Sequence, residues 1–565
     1  MTRIEVPVLV VGAGPVGLIG ALLLARQGLK ARIVDRRETP LRAPAAHVVN
    51  ARSFEICRAA GVDMDAFAEF CSDPKDAGQT IWVTSLAGEE IGRLPFERQK
   101  DEMLRFTPTP LRNIPQHRFE AVLRSAFSKA GAAEVQYGQQ WEGAEQDGEG
   151  VTSLVRDLAT DEVHEIRSRY VIACDGAGSR IRKSIDIEMV GPQNLQNFLM
   201  IHFAADLREL VKDRPAILYW LIDPELGATL VAHNIEKEWV YMLPIDSPSE
   251  GQADHSEARC QALVKAALGS DDYPIRIETI RTWAMSAQIA DGYRSGRIFL
   301  AGDAAHRFPP TGGLGLNSGV QDIHGLVWRL AGVEAGWAAP ALLESYESER
   351  RPVAERNSES SLRNAMQLFE VDRAFGFEEA RTTERMRATL ADPEARSRVE
   401  AAIANQAEHF DTIGLQLGFR YEEGDVLPDG TAFLEVENPI REFQPTGRPG
   451  ARLPHAWLAR DGRRLSTLDL VGLDAFTLLT MAPDSGWEAA VSEISGIPIR
   501  YETIARATLE DADRWIEESG VGSEGALLVR PDQHVAWRAS SLPQDATSAL
   551  REALTRIVEG RCSRD

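Results

Sequence analysis

A glycine run near the start of the chain is the first segment whose residue types could do chemistry. It follows the apolar residues 8–11 and consists of Gly12, Ala13, Gly14, Pro15, Val16 and Gly17. The first glycine of such a run permits a tight turn, the second lets the backbone approach a pyrophosphate, and the third lets the next helix pack closely on the strand. The positive end of that helix then faces the phosphates. The run predicts a nucleotide site, against the alternative of a structural glycine-rich turn.

An acidic residue stands where a ribose would be bound. Residues 31–34 form the next predicted strand, and Asp35 ends it at about the 20-residue spacing expected for an acceptor of ribose hydroxyls. Arg36 and Arg37 come next and leave room for a 2′-phosphate. The strand, the helix and Asp35 together favour nucleotide binding over the structural turn, but they do not separate FAD from NAD.

Two further segments place a carboxylate directly after a predicted strand. Asp175 opens the segment 175–182 and, taken alone, is typical of an aspartate that caps a helix. Asp303 lies in the segment 302–317 after the predicted strand 298–301, where its carboxylate could accept from the hydroxyls of a polyol chain.

The segment 302–317 also holds more glycines than a structural loop requires. Its notable residues are Pro309, Pro310, Gly312, Gly313, Gly315, Leu316 and Asn317. Glycines let backbone amides face a ligand, and the start of the predicted helix favours negative charge. We therefore interpret this segment as part of a ligand site.

The elements that position these segments alternate as in an α/β protein. A strand, a helix and a second strand open the chain, and further helices are predicted at 51–60, 115–130, 317–335 and 341–375. Residues 190–290 alternate in a strand-like way, which predicts a sheet inserted between nucleotide-binding elements. The expected fold class is α/β, with a Rossmann-like nucleotide-binding domain and an inserted mixed sheet.

Composition predicts how the chain divides into domains. We expect a discontinuous nucleotide-binding domain over 1–400, within which regions 70–110 and 190–290 form a substrate-binding sheet. A linker over 400–450 follows and is rich in proline, glycine and glutamate from residue 428. Residues 450–565 carry their own predicted strands and are numerous enough for a small α/β domain.

Length, charge and cysteine usage exclude several classes of protein. A chain of 565 residues predicts two or three domains. The formal net charge of −23 argues against nucleic-acid binding and suits a free cytoplasmic protein. No apolar run is long enough to span a bilayer. The five cysteines are scattered without a Cys-x-x-Cys pair, so neither a metal site nor a disulfide framework is expected.

The three segments, in this order and spacing, resemble the class A flavoprotein aromatic hydroxylases, the superfamily of para-hydroxybenzoate hydroxylase and phenol hydroxylase. The resemblance covers roughly the first 400 residues, and GDAAHRFPPTGGLGLN at 302–317 is its most specific match. It implies that the first glycine run holds the ADP part of FAD, that Asp303 binds the ribityl chain, and that residues 312–317 lie by the flavin pyrimidine edge. It also implies FAD contacts for Arg52 and Gln116, and a role of the Asp175 segment in binding FAD and NAD(P)H.

Residues 44–50 resemble the phenol-hydroxylating branch of that family. There a histidine at the position of His47 is thought to deprotonate the phenol, which suits an imidazole because its ordinary pKa is near neutrality. A histidine that only hydrogen-bonds backbone near the flavin is the equal alternative. Residues from 449 onward resemble the thioredoxin-like domain of the same branch, and without a Cys-x-x-Cys pair we expect this domain to serve packing or contact within a homodimer.

The resemblance implies an FAD-dependent enzyme that consumes NADPH or NADH and uses O2, through a flavin C4a-hydroperoxide, to hydroxylate a small aromatic, phenolic substrate. Trp220, Tyr219, Pro310 and Gly312 are expected to touch that substrate, although aromatic residues on strands more often belong to a core. Two alternatives stay open: a flavin halogenase or reductase of similar fold, whose signature we do not find, and a non-catalytic FAD-fold protein that binds a small aromatic ligand. Only a measurement of turnover distinguishes the second alternative, a non-catalytic protein, from an enzyme.

Overall fold

The three segments that carry glycines and carboxylates start from one largely parallel sheet. The computed structural model describes residues 3–131, 135–246, 255–483, 486–560 and 562. The strand order of this sheet is Arg294–Ser295, Ile298–Leu300, Val163–Ala173, Arg3–Val11, Ala31–Asp35, Val135–Tyr137. Val11 lies beside both Val34 and Ala173 in parallel register, and Ala173 lies beside Leu300. The carboxyl ends of these strands therefore meet at one edge of the sheet.

Apolar residues explain why the strands and helices of this region form a layered core. Val8, Leu9 and Val10 are fully buried, as expected for a strand with helices on both faces. The covering helices are Pro15–Arg26, Gln116–Lys129 and Leu314–Glu334. Two antiparallel strands, Gln139–Gln146 and Val151–Asp157, extend the sheet beside Val163–Ala173.

A second sheet combines strands from the regions around residues 80 and 240. Its strand order is Arg276–Met285, Gln196–Ala204, Glu238–Ile245, Thr229–Asn234, Leu218–Leu221, Gln79–Val83, Glu90–Pro95. One face packs on the helix Glu257–Leu268, and the other carries Trp82 and Trp220. Successive side chains of a strand point to opposite faces, so adjacent aromatic residues are separated by the sheet.

The remaining elements of the first 420 residues connect and cover these sheets. The helices are Ala51–Ala59, Asp65–Ala68, Pro74–Ala77, Arg180–Ser184, Arg208–Val211, Ser345–Phe375, Thr383–Ala391, Pro393–Ala404 and Ile413–Leu417, with 3-10 turns at Asp101–Arg105, Gly302–Ala304, Pro340–Glu344 and Asn405–Phe410. Short ladders join Met189–Val190, Gln288–Ala290 and His306–Arg307, and join Val48–Val49 to Arg112–Asn113. No helix of the described residues is long and apolar enough to cross a membrane.

The C-terminal region has a sheet of its own, with strand order Ile499–Thr503, Phe476–Thr480, Ala526–Val529, Val535–Ala539. The first two of these strands are parallel, and the other neighbours are antiparallel. The accompanying elements are the helices Trp487–Ser492, Ala512–Ser519 and Ala546–Val558, the hairpin Trp457–Arg460 with Arg463–Ser466, and 3-10 turns at Thr467–Leu470 and Arg506–Thr508. The segment predicted as a linker packs against this sheet, since Val426 and Leu427 are buried and the Leu427 N–H donates to the Ala536 carbonyl at 2.8 Å.

Buried ion pairs join the C-terminal region to the helices of the first sheet. The Arg530 guanidinium lies 2.6 Å from the Glu349 carboxylate and 2.5 Å from that of Asp532. Glu349 also contacts Arg329 at 2.6 Å, and Arg329 contacts Asp425 at 2.9 Å. These side chains are at most 1% exposed. Because a buried charge that loses its partner is costly, this cluster couples the stability of the two regions.

Candidate active site

The three glycine-rich segments meet at the carboxyl edge of the parallel sheet. Gly302, at the start of the third segment, has φ of +62°, and a β-carbon there would lie 3.0 Å from the Val16 side chain. Gly319, on the helix that the third segment enters, would place a β-carbon 2.8 Å from the Gly302 α-carbon. This close contact brings the helices Pro15–Arg26 and Leu314–Glu334 to a common cleft.

The glycines of the first run have three different environments. Gly12 has φ of +107°, and a β-carbon there would lie 2.1 Å from the Cys174 carbonyl oxygen. A β-carbon at Gly17 would lie 2.0 Å from the Gly12 carbonyl oxygen, so the helix packs directly on the turn. At Gly14 a β-carbon would meet nothing within 4 Å. The first and third glycines are thus required by packing, whereas Gly14 faces open space at a helix N-terminus, which fits an approaching phosphate.

Asp35 lies beside this turn and is buried. Its carboxylate accepts from the Ala13 N–H at 2.7 Å and from the Arg37 N–H at 2.8 Å. The Arg37 guanidinium forms a salt bridge to the same carboxylate at 2.9 Å, whereas Arg36 is exposed. A ribose hydroxyl would share this acceptor with Arg37.

Asp303 and Asp175 differ in how their carboxylates are engaged. The Asp303 side chain is exposed at the strand end, and no hydrogen bond from a described residue reaches its carboxylate. Asp175 accepts from the Arg180 N–H at 2.8 Å and the Ile181 N–H at 3.3 Å, as a helix cap does. Its other oxygen is buried without a hydrogen-bond partner. The exposed carboxylate of Asp303 is therefore an acceptor at this edge that a ligand could use.

The third segment turns sharply before its helix. Gly312 and Gly313 have φ of +100° and +64°, and a β-carbon at Gly315 would meet nothing within 4 Å. Leu316 is half-buried and Pro310 is exposed. The open space at Gly315 therefore adjoins a helix start, whose first backbone N–H groups have no partner within the helix, which suits a ligand with acceptor atoms.

The side chain of Asn317 is fully used by the protein. Its Oδ1 accepts from the Asn50 N–H at 2.9 Å and from the Ser53 hydroxyl at 2.7 Å. Its Nδ2 donates to the carbonyls of Val48 and Gly313. The predicted flavin contact of Asn317 would therefore have to come from its backbone.

The predicted flavin residues Arg52 and Gln116 also make protein contacts. Arg52 is 1% exposed, and its guanidinium donates to Gln533 Oε1 at 2.6 Å and to the Asp532 carbonyl at 2.7 Å. Gln116 donates to Glu120 at 2.9 Å and accepts from the Ala46 N–H at 3.3 Å. Arg52 thus connects the start of its helix to the C-terminal region, and its flavin contact stays a prediction.

His47 lies on the side of this cleft that faces the second sheet. Its Nδ1 is 3.0 Å from Asn113 Oδ1, and no hydrogen bond to a described residue engages Nε2. The ring stacks on Phe96 with 6.4 Å between centroids and meets His233 edge-on at 5.4 Å. Burial lowers the pKa of His47 to about 4, against the opposing effect of the Asn113 hydrogen bond. The imidazole is therefore neutral at physiological pH and can accept a proton.

The two predicted aromatic substrate residues lie on opposite faces of the second sheet. Trp220 stacks on Trp82 with 6.1 Å between centroids and belongs to the apolar cluster that also contains Val48 and Phe96. Tyr219 is fully buried in the cluster on the other face, and its hydroxyl donates to the Arg214 carbonyl at 2.9 Å. Trp220 therefore lies on the face whose apolar cluster includes Phe96, a neighbour of His47. Tyr219 is a core residue on the other face, which argues against its predicted contact with the substrate.

The sequence patterns did not single out Phe96, Asn113 or His233, which contact His47, or Gln99, which contacts Asn113. A cavity of about 380 Å³, lined in part by Gln99 and Phe410, adjoins this group. Phe410 packs on Phe96 with 6.0 Å between ring centroids. No motif marks these residues, since they lie on separate segments. Among the described residues, no cluster of His, Cys, Asp and Glu is suited to hold a metal ion.

Comparisons with known proteins cover the whole chain. Residues 5–361 match the family described as FAD binding domain, and residues 446–560 match the family described as aromatic-ring hydroxylase, C-terminal. The 2,4-dichlorophenol 6-monooxygenase of Delftia acidovorans is 34% identical over 99% of this chain and 99% of that protein. The tetracenomycin A2 monooxygenase-dioxygenase of Streptomyces glaucescens is 33% identical over 99% of this chain and 98% of that protein.

Solved structures of flavin-dependent enzymes also match this chain over almost its whole length. The flavin-dependent monooxygenase PieE, in complex with FAD and substrate, superposes with a TM-score of 0.91 at 32% identity, covering 99% of this chain and 100% of that chain. Aklavinone-11 hydroxylase, in a ternary complex with FAD and aklavinone, gives a TM-score of 0.81 at 32% identity over the same shares. The prediction of an FAD-dependent aromatic hydroxylase, acting with O2 on a small aromatic substrate, is confirmed. This chain belongs to the FAD-dependent aromatic-ring hydroxylases.

Proposed function

We propose that this enzyme hydroxylates a phenolic ring, with NADPH or NADH as the reductant and His47 as the base that takes the phenol proton. The observation that carries the proposal is the neutral His47 ring, which packs on Phe96 and His233 and whose Nε2 has no hydrogen bond to a described residue. Bound FAD supplies the chemistry that activates O2 and delivers one oxygen atom to the ring. The contribution of the protein is to bind, to orient, to exclude water and to move one proton.

The residues at the edge of the parallel sheet fit FAD. We assign the turn at residues 12–17 to the pyrophosphate of FAD, Asp35 to its ribose, and Asp303 to its ribityl hydroxyls. The open space at Gly14 and Gly315 leaves room for phosphate and flavin beside helix N-termini. Pro310 and Gly312, on the turn before the second of these helices, would border flavin and substrate.

The proton transfer follows from the protonation state of His47, whose neutral imidazole can accept a proton. A phenol O–H bond breaks, and the proton binds Nε2 while Nδ1 keeps its hydrogen bond to Asn113. A ring that carries O⁻ is a far better nucleophile than the neutral phenol. The pKa of His47 is about 4 without an anion nearby, and a phenolate in contact would raise it because an opposite charge favours the imidazolium.

The proposal is tested by turnover with matched substrates. Purified protein with bound FAD should oxidise NADPH or NADH faster when a phenol is added, and it should release a hydroxylated product. The O-methyl ether of the same phenol has no phenolic proton to give, so it should yield little hydroxylated product. Equal product from phenol and ether would contradict the role of a phenolic proton, and preference between NADPH and NADH is read from the same assay.

Asp303 gives a prediction about cofactor retention. Asp303→Ala removes an acceptor for ribityl hydroxyls, and each such hydrogen bond is worth on the order of 1 kcal/mol, more where a donor is left buried. We expect weaker FAD retention, measured as flavin absorbance per protein after dialysis. Asp303→Asn keeps one acceptor oxygen and should retain more flavin than Asp303→Ala. Parent-like affinity in the alanine variant would show that Asp303 does not hold FAD.

We further propose that residues 450–565 form a thioredoxin-like domain without redox chemistry, which packs on residues 1–400 and contributes to a homodimer. Burial raises the pKa of the Cys562 thiol to about 12, so little thiolate is present near pH 7. Cys562→Ser should therefore leave turnover unchanged, whereas truncation near residue 425 should lower stability or alter the molar mass in light scattering. A large loss of turnover in Cys562→Ser with intact flavin would contradict this account.

A further inference from the structure

Two buried amides lie in line between the backbone and His47. Gln99 is 3% exposed, and its Nε2 donates to the carbonyls of Ala77 and Phe96, both at 2.9 Å. The opposite orientation of this amide would set its oxygen against two carbonyl oxygens. The backbone therefore determines that Gln99 Oε1 points away from these carbonyls and towards Asn113.

Asn113 transmits this orientation to His47. Its Nδ2 donates to Gln99 Oε1 at 3.3 Å, so its Oδ1 is the atom that faces His47 Nδ1 at 3.0 Å. An amide oxygen only accepts hydrogen bonds, so Nδ1 must carry the hydrogen. A neutral imidazole carries one N–H, which leaves the lone pair on Nε2.

The backbone also places Asn113 beside His47. Val48 pairs with Asn113 in a short antiparallel ladder, and the Ile114 N–H donates to the His47 carbonyl at 2.8 Å. Asn113 is 1% exposed, so water does not compete for its amide. His233, edge-on at 5.4 Å, is the titratable side chain whose ring packs on His47.

We propose that Gln99 and Asn113 are positioning residues that fix the neutral tautomer of His47, so that Nε2 is the atom that receives the phenol proton. This inference rests on the proposed function of His47. The alternative tautomer carries its hydrogen on Nε2 and could not accept the proton there. After transfer, the hydrogen on Nδ1 still donates to Asn113, so the same bond also stabilises the imidazolium.

The tautomer can be measured without turnover. In the full-length holoenzyme with ¹⁵N-labelled histidine, long-range ¹H–¹⁵N correlation spectra distinguish the two neutral forms, and the spectrum of His47→Ala assigns the His47 signals. We expect the parent to show hydrogen on Nδ1 and a lone pair on Nε2. Asn113→Leu should populate the Nε2–H form, and Asn113→Asp, which keeps an acceptor oxygen, should restore the parental form. A parental tautomer in Asn113→Leu, or Nε2–H in the parent, would overturn the inference.

A matched pair of glutamine variants separates positioning from stability. Gln406 is also buried, and its Nε2 also donates to two backbone carbonyls, those of Gln367 and Ala402. Gln99→Met and Gln406→Met should therefore lower the thermal midpoint by similar amounts. Only Gln99→Met should allow the Asn113 amide to turn and shift the His47 tautomer. A tautomer shift of equal size in both variants would show that general destabilisation of the fold, and not the loss of the Gln99 contact, is the cause.

Turnover gives the last readout. Losing a hydrogen bond to a charged group costs about 10- to 100-fold. Asn113→Leu should therefore lower product formed per NAD(P)H by at least about tenfold while flavin reduction stays unchanged. Asn113→Asp should recover most of the coupling, and a loss equal to that of Asn113→Leu would contradict the proposal. If His47→Ala remains fully coupled, the role of His47 as base fails, whereas the tautomer measurement still decides whether the two amides orient the ring.

Discussion

His47→Ala is expected to keep FAD and to allow its reduction by NAD(P)H, but to lose most product formation. A positioned general base typically contributes about 10²–10⁴-fold, so hydroxylation should fall by a factor in that range. The reduced oxygen should instead appear as H₂O₂, because the neutral phenol is a poor ring nucleophile. Product, H₂O₂ and NAD(P)H consumption, measured together, give the degree of uncoupling.

The pH dependence of His47→Ala has a definite sign. A phenol near its ordinary pKa of about 10, as for tyrosine, ionises without help at high pH, so coupling in the variant should rise as pH increases. His47→Gln serves as the control, since it keeps a polar side chain near Asn113 but cannot carry the proton away. Full coupling at neutral pH in either variant would show that His47 is structural, the alternative that the sequence left open.

Arg530→Met is expected to destabilise the protein more than any surface substitution. It removes the partner of Glu349 and Asp532, which are 0% and 1% exposed in these pairs. Breaking a buried ion pair in this way costs about 3–5 kcal/mol, because Asp532 stays buried without its guanidinium partner and Glu349 keeps only Arg329. Thermal unfolding, followed by circular dichroism and by flavin release, should show a lower midpoint for both signals since the cluster joins both regions.

Arg464→Met is the matched control for Arg530→Met. Arg464 also contacts a carboxylate with two nitrogens, at 2.6 and 2.8 Å from Glu510, but the pair is about half exposed. Exposed pairs contribute about 0–1 kcal/mol, so the midpoint should scarcely change. Equal midpoints for the two variants would contradict the view that the buried cluster holds the regions together.

The sequence predicted the parts of the site that depend on local spacing. The glycines at 12, 14 and 17 fix a turn within six residues, and the Asp303 segment follows its strand directly, so one stretch of chain contains each signal. His306, in the same segment, is fully buried and lies 2.6 Å from the Asp322 carboxylate. Such features need no knowledge of distant contacts.

The other features depend on contacts between distant parts of the chain. Arg52 meets Gln533 across 481 positions of the sequence. The environment of His47 brings together Phe96, Asn113 and His233 from different elements. Trp220 and Tyr219 were both assigned to the substrate, although neighbours on a strand must point to opposite faces. Local patterns show neither which face borders the pocket nor that the predicted linker is packed.

This protein catalyses oxygen transfer to an aromatic ring, rather than binding FAD and a ligand without turnover. The most direct test supplies ¹⁸O₂ to the FAD-loaded enzyme with NAD(P)H and a phenol that stimulates NAD(P)H oxidation. We predict that the product contains one ¹⁸O atom per molecule by mass spectrometry, and that none is incorporated from H₂¹⁸O. A product whose new oxygen comes from water, or no product from any phenol despite bound and reducible FAD, would contradict the account.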